Sequence, residues 1–194
     1  MKVAVLGGSF NPPHLGHVLI IDQVLKYTDI DEIWLAPCYR HTFLKNLAPV
    51  EHRVAMTKML TNHKVRYRSE EIDNRLSGDT IDLMEILKKK YPQHQFSFLI
   101  GSDNLAGLKR WGRWEKLISN FKFLIFKRPN YSMNLSEFGL DNPEYKLKFV
   151  NHPKLITSEI SSTQVRERLK HSLSIADLVP KKVEEYILNH HLYL

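Results

Sequence analysis

His14 and His17 stand three residues apart where the pattern begins a helix, so both imidazoles fall on one face of its first turn. Backbone N–H groups and the helix dipole at that end already favour an anion, and the pair could grip a polyphosphate. Alone, an H-x-x-H spacing serves equally for a metal-ligand pair or for two surface histidines. The residues in front narrow the choice: Gly7-Gly8-Ser9-Phe10-Asn11-Pro12-Pro13 precede the first histidine. Gly7 and Gly8 admit positive φ and carry no Cβ, so backbone N–H groups there can approach an oxyanion. Pro13 suits the first turn of a helix and places its start near His14. No Gly-Lys-Ser/Thr follows, which separates the run from a P-loop.

A second anion-binding pattern lies far along the chain, at Ile160-Ser161-Ser162-Thr163-Gln164-Val165-Arg166. Ser161 and Gln164 have the spacing of a capping box, so a helix starts here. The hydroxyls of Ser162 and Thr163, the N–H groups of the first turn and the Arg166 guanidinium together suit a phosphate. Two such helix starts predict one triphosphate held between them, which requires the two ends of the sequence to meet. Three other places supply useful groups. Gly101-Ser102-Asp103 ends an apolar run and sets a carboxylate to accept ribose hydroxyls or to cap a helix. Trp111, within a basic stretch from Leu108 to Trp114, can stack on a heteroaromatic ring, a contact worth about 1–3 kcal/mol. Trp114 instead begins a core-facing pattern with Leu117 and Ile118. Residues 38–48 form a polar, basic loop whose Arg40, His41 and Lys45 could reach a substrate phosphate or simply face solvent.

These groups need a scaffold that gathers them. Lys2 to Leu6, Glu32 to Pro37, Gln95 to Ile100 and Phe121 to Phe126 read as buried parallel strands, with shorter ones at Val65 to Tyr67 and, on an edge, Leu147 to Val150. Helical spacing runs over Leu15 to Tyr27 and, through Val50, Val54, Met56, Met59 and Leu60, over Pro49 to Leu60. A further helix opens at Gly78-Asp79-Thr80 with Asp79 or Thr80 as cap, and a last one starts at Pro180. Ser69 to Ser77 reads as charged and irregular. Strand-helix-strand order predicts right-handed crossovers and so an α/β fold, an open doubly wound parallel sheet with helices on both faces. Ligands bind such sheets beyond the carboxyl ends of the strands. No linker divides residues 1–194, so one domain is expected, with 160–194 forming C-terminal phosphate-binding and packing helices.

A chain of 194 residues, 43% hydrophobic and 25% charged, can build a full core and is not of disordered composition. One cysteine, Cys38, excludes an internal disulfide and a multi-cysteine zinc module, and packing is its expected use. No apolar run approaches the length of a membrane span, and the few apolar residues before Gly7 are too short for a signal-peptide core; a soluble, cytoplasmic protein is expected. The net charge of +7 suits polyanionic partners. The cations are dispersed, however, and no RRM, KH, zinc-finger or G-x-G-x-x-G pattern occurs, which disfavours a basic nucleic-acid-binding protein.

The run from Gly7 to His17 matches the G-G-[ST]-F-[DN]-P-x-H-x-G-H signature of the nucleotidyltransferases. With Gly101-x-Asp103, Trp111 and the Ile160 to Arg166 motif, the chain resembles the bacterial nicotinate-nucleotide adenylyltransferases over nearly its whole length. That resemblance implies a Rossmann-like fold and adenylyl transfer from Mg-ATP to the 5′-phosphate of nicotinate mononucleotide, giving deamido-NAD and pyrophosphate. It implies that Gly7, Gly8, Ser9 and Phe10 contact the nucleotides through backbone. His14, His17, Ser162, Thr163 and Arg166 would hold ATP phosphates, with His14, His17 and Arg166 catalytic and with His17 and Arg166 supplying the positive field. Thr80 and Trp111 would contact the nicotinate ring, Asp103 a ribose and Lys45 a phosphate. The implied partners are ATP, bringing Mg2+, and a pyridine mononucleotide; no protein metal site, nucleic acid or membrane is implied, and homo-oligomer formation is left open. The stretch Tyr39 to Lys45 departs from the Pro-Pro-His-Lys type of run common in that family. Nicotinamide mononucleotide, or both mononucleotides, therefore stay as alternative substrates, and phosphopantetheine adenylyl transfer, which shares the early motif, is a more remote one.

Overall fold

The structure, a computed structural model, describes residues 1–40 and 47–194. Six strands of the described residues form one parallel sheet: β1 (Lys2–Gly8), β2 (Glu32–Pro37), β3 (Val65–Tyr67), β4 (Gln95–Gly101), β5 (Lys122–Phe126) and β6 (Leu147–Phe149). Their spatial order is β3-β2-β1-β4-β5-β6, so the chain winds outward from β1 in one direction and returns to β1's other edge at β4. Val5 faces Trp34 of β2 on one side and Phe98 of β4 on the other. The carboxyl ends of β1 and β4 therefore flank the point where the winding reverses, the place such sheets offer to ligands.

Period-two alternation divides the strand residues between two cores. Val3, Val5, Trp34, Phe98, Ile100, Phe123 and Ile125 pack with Ile81, Leu83, Met84 and Leu87 of α4 (Thr80–Lys90) and with Leu117 and Ile118 of α5 (Trp114–Asn120). Ala4, Leu6, Ile33, Leu35, Leu99 and Leu124 face the other way, against Ile21 and Val24 of α1 (Leu15–Tyr27). Each large apolar side chain so buried contributes about 1.5–3 kcal/mol. A third cluster joins Met56 of α2 (Val50–Lys58) to Val165 and Leu169 of α6 (Ser162–Lys170) and to Val183 and Ile187 of α7 (Lys181–Asn189). That cluster carries the C-terminal helices back toward the first loop. Gln23, buried in α1, steers the connection by donating to the Ile156 carbonyl at 2.9 Å and accepting from the Ile156 N–H at 2.6 Å.

The expected elements are present, with four local differences. A short helix, α3 (Glu70–Asp73), forms in the segment expected to be irregular, and a 3-10 stretch, Ser102–Arg110, replaces the loop before Trp111. The inward face of α2 is Arg53, Met56 and Thr57, while Val50, Val54, Met59 and Leu60 are only half-buried, because Arg53 turns inward to satisfy loop carbonyls. Gly7 and Gly8 keep strand conformation, and the left-handed residue of the turn is Phe10, at φ 46°. Gly7 is needed for space instead: a Cβ there would come within 2.7 Å of Phe98 Cζ. Among the described residues no helix is long and apolar enough to cross a membrane.

Candidate active site

Beyond the carboxyl ends of β1, β2 and β4 lies a cavity of about 830 Å3. Gly7, Gly8, Ser9, Phe10, His14, His17, Ser162, Thr163 and Arg166 all border it, as do Thr80, Asp103 and Trp111. Lys45 and His41 lie outside the described residues, and Arg40 reaches the cavity edge.

Direct hydrogen bonds join the two ends of the sequence here. Arg166 Nη1 donates to the Asn11 carbonyl at 2.7 Å and Nη2 to Thr163 Oγ1 at 3.2 Å, while the Ser162 hydroxyl donates to the Pro12 carbonyl at 2.8 Å. Asn11 Oδ1 in turn accepts from the Ala48 N–H at 3.0 Å and the Tyr193 hydroxyl at 2.9 Å. α6 starts as expected, with Ser161 Oγ accepting from the Gln164 N–H at 3.2 Å. Arg53, only 1% exposed, braces the opposite side of the loop. Its guanidinium donates to the carbonyls of Ser9 (3.0 Å), Cys38 (2.7 Å), Tyr39 (3.2 Å) and Ala48 (3.1 Å).

The two imidazoles lie against each other at the start of α1, tilted by 37° with centroids 3.8 Å apart. His14 is the cap residue, and its backbone N–H donates to His17 Nδ1 at 3.1 Å. That bond requires a lone pair on Nδ1, so the proton of neutral His17 sits on Nε2. Gly16 makes the arrangement fit, since a Cβ there would lie 2.9 Å from His14 Nδ1 and 3.1 Å from the Ile160 carbonyl. Burial first, and then the nearby Arg128 charge, push His17 down to about 4. Burial, His17 and Arg128 lower His14 further. Both rings are thus neutral near pH 7, which corrects the expectation that His17 supplies positive charge: it offers an N–H donor, and the fixed charges are arginines.

Residues 5–168 match the model of the cytidylyltransferase-like family. The probable nicotinate-nucleotide adenylyltransferase of Bacillus pumilus is 34% identical over 99% of this chain and 98% of its own length. The nicotinate-nucleotide adenylyltransferase of Bacillus subtilis is 33% identical with the same coverage. This chain belongs to the nicotinate-nucleotide adenylyltransferase family. Among solved structures it is similar to the Plasmodium falciparum nicotinic acid mononucleotide adenylyltransferase complexed with NaAD, with a TM-score of 0.82 and 26% identity over 99% of this chain and 97% of that one.

Other cavity groups of this family member escape a reading by motif. Arg128, two residues past β5, has a side chain 16% exposed; Nη1 donates to the Ile160 carbonyl at 3.3 Å, but Nε has no hydrogen-bond partner and lies 4.0 Å from Asp103 Oδ1. Its place just beyond a strand's carboxyl end is the signal that could have found it. Glu71, 3% exposed on α3, also borders the cavity, and burial, partly offset by the Tyr39 N–H, raises its carboxyl to about 7. No pattern in the sequence marks it or Arg53. Asp103 is exposed, and the residue capping the 3-10 stretch is Gly101, not Asp103. Trp111 is half-buried, edge-on to Phe98 with centroids 6.1 Å apart, so it serves the core as well as the cavity wall. Cys38 also borders the cavity, its Sγ 3.9 Å from Ser9 Oγ, and burial raises its thiol, so it is no ready nucleophile.

Proposed function

We propose that this chain transfers the adenylyl group of ATP to the 5′-phosphate of nicotinate mononucleotide, releasing pyrophosphate. The observation that carries the reading is the closure of α6 onto the first loop through the Arg166–Asn11 and Ser162–Pro12 bonds, with both motifs on one cavity. In this reading the triphosphate lies between the starts of α1 and α6, near His17 Nε2, Ser162, Thr163 and Arg166. The mononucleotide occupies the rest of the cavity, its ring against Trp111 and Thr80, a ribose at Asp103, and its phosphate within reach of Arg128.

A phosphate oxygen of the mononucleotide attacks the α-phosphorus. The new P–O bond forms as the bond from the α-phosphorus to the bridging oxygen breaks, and pyrophosphate leaves with that electron pair. The nucleophile is already ionised, so no protein base is required and alignment of two anions is the main task. Arg166 and Arg128 offset the charge gathering on the leaving group, and neutral His17 donates a hydrogen bond through Nε2. Mg2+ enters on the ATP phosphate oxygens as part of that substrate. Residues 1–194 act as one nucleotidyltransferase unit, and the single Cys38 suits a reducing, cytoplasmic setting. The test supplies Mg-ATP with nicotinate mononucleotide or with phosphopantetheine and measures pyrophosphate and the adenylylated product. Product from the mononucleotide is expected; product from phosphopantetheine alone would overturn the reading.

A further inference from the structure

The run that follows α7 reaches the first loop through one phenol, that of Tyr193. α7 closes as helices commonly do: His191 is left-handed at φ 49°, and the Leu192 N–H donates to the Ile187 carbonyl at 3.1 Å. Two residues later the backbone turns left-handed again at Tyr193, φ 67°, a conformation that a bulky aromatic residue rarely adopts and that the helix end does not need. What this turn delivers is a hydroxyl. Tyr193 Oη donates to Asn11 Oδ1 at 2.9 Å, and Leu192, buried in the third core cluster, anchors the run. Asn11 is 3% exposed and borders the cavity, whereas Tyr193 stays outside it. The two oxygens of Asn11 serve different partners: Oδ1 takes the Tyr193 hydroxyl and the Ala48 N–H, and the main-chain oxygen takes Arg166 Nη1 at 2.7 Å. Burial raises the phenol well above its usual range, with the nearby Arg166 and Arg53 charges only partly offsetting it, so the hydroxyl keeps its proton and donates.

We propose that Tyr193 is a positioning residue for adenylyl transfer: by holding the Asn11 side chain it fixes the Asn11 carbonyl, and that carbonyl sets the direction of the Arg166 guanidinium. The inference rests on the adenylyl-transfer reading, in which Arg166 offsets charge on the leaving pyrophosphate. A guanidinium serves a phosphate through the geometry of its fork, so a small misplacement lowers the rate even though the charge remains. Because Tyr193 lies outside the cavity, its effect passes through Arg166.

Pyrophosphate release from Mg-ATP and nicotinate mononucleotide, measured for the wild type, Tyr193→Phe, Arg166→Met and the double variant, tests this. Phenylalanine keeps the ring and its packing, and rates are compared at a temperature where circular dichroism shows every variant folded. Tyr193→Phe should lower kcat about fivefold or more with KM for the mononucleotide within about twofold, and in the Arg166→Met background the same change should cost less than about twofold. Tyr186→Phe removes the other hydroxyl of this segment, bonded to His52 Nδ1 of α2 at 2.9 Å, and should leave kcat within about twofold of the wild type, because it loosens α7 without reaching Asn11. An unchanged kcat in Tyr193→Phe, an equal loss with and without Arg166, or an equal loss in Tyr186→Phe would overturn the proposal. A wild type that releases no pyrophosphate with the mononucleotide would instead overturn the adenylyl-transfer reading on which it rests.

Discussion

Glu71→Gln should stabilise this protein above neutral pH and do little in mild acid. The carboxyl is buried and faces Asp79 and Asp82, with only the Tyr39 N–H to favour its charge, so it titrates near 7 in the folded protein against 4.5 when exposed. Between those values the folded chain holds a proton that the unfolded chain has released. Folding stability therefore falls as pH rises across that window, the reverse of an ordinary ion-paired carboxylate. At about 1.4 kcal/mol per unit, the wild type should lose about 2.5 kcal/mol between pH 5 and pH 8 that the glutamine variant keeps. Glutamine still accepts from the Tyr39 N–H and changes volume little, so the difference isolates the charge. Urea unfolding of both proteins at pH 5, 6, 7 and 8 supplies the measurement, and subtracting the curves removes every titration they share. Parallel stability curves across that range would refute the reasoning, because they would mean that Glu71 is as well solvated as a surface carboxylate.

His17→Ala should lower kcat by roughly 10²–10³, the loss of one transition-state donor, with only a modest shift in melting temperature; near-normal turnover in a pyrophosphate assay would remove His17 from its assigned role. Arg53→Leu should destabilise the fold by about 3 kcal/mol or more, since it strips partners from the carbonyls of Ser9, Cys38, Tyr39 and Ala48, and denaturant unfolding reads this directly. The neutral imidazoles set the acid limb: His17 falls from 6.5 to about 4 on folding, so its contribution is fully present above 6.5 and is lost as pH drops toward 4. His17→Gln should unfold less steeply with acid than the wild type over that range.

What the sequence could disclose was whatever short-range rules encode. β1, the start of α1 and the start of α6 follow from apolar runs, proline placement and the Ser161 cap, and α1 does begin near His14, although Pro13 lies just before that cap residue and not in the first turn. The parallel sheet follows from the alternation of strands and helices, whereas the return of the fourth strand to the other edge of β1 is set by packing between distant elements and had no local signal. Arg53 was invisible for an equally physical reason. Counting apolar residues along α2 selects Val50 and Val54, whereas the inner face is chosen by which side chain can satisfy four loop carbonyls that are distant in sequence. Glu71 and the charge state of His17 fail in the same way: both depend on what desolvates them, and desolvation is set by neighbours from other elements. The roles of Gly7 and Gly16 were legible as residues but not as reasons, because both serve close side-chain approach instead of an unusual φ.

The cations of the site divide by how fully the protein already uses them. Arg53 spends its guanidinium on four carbonyls and is buried, so it shapes the loop and has little left for a ligand. Arg166 spends part of its fork on the Asn11 carbonyl and Thr163 Oγ1, which fixes the planar group and leaves its other N–H directions for an anion. Arg128 keeps a buried Nε with no partner while lying close enough to lower both histidines. A buried guanidinium N–H without a hydrogen-bond acceptor, its only counter-charge among the described residues the Asp103 carboxylate 4.0 Å away, costs stability until an anion meets it. That cost is what a bound phosphate relieves, and the same phosphate, by offsetting the Arg128 field, would draw the imidazoles back toward their usual titration range. In the adenylyl-transfer reading, Arg128 would therefore link phosphate binding to the smaller, charge-dependent part of the lowering of His14 and His17, the larger part being burial. Imidazole resonances followed by NMR in Arg128→Met should titrate nearer to 6.5 than in the wild type, and an unchanged titration would break that link.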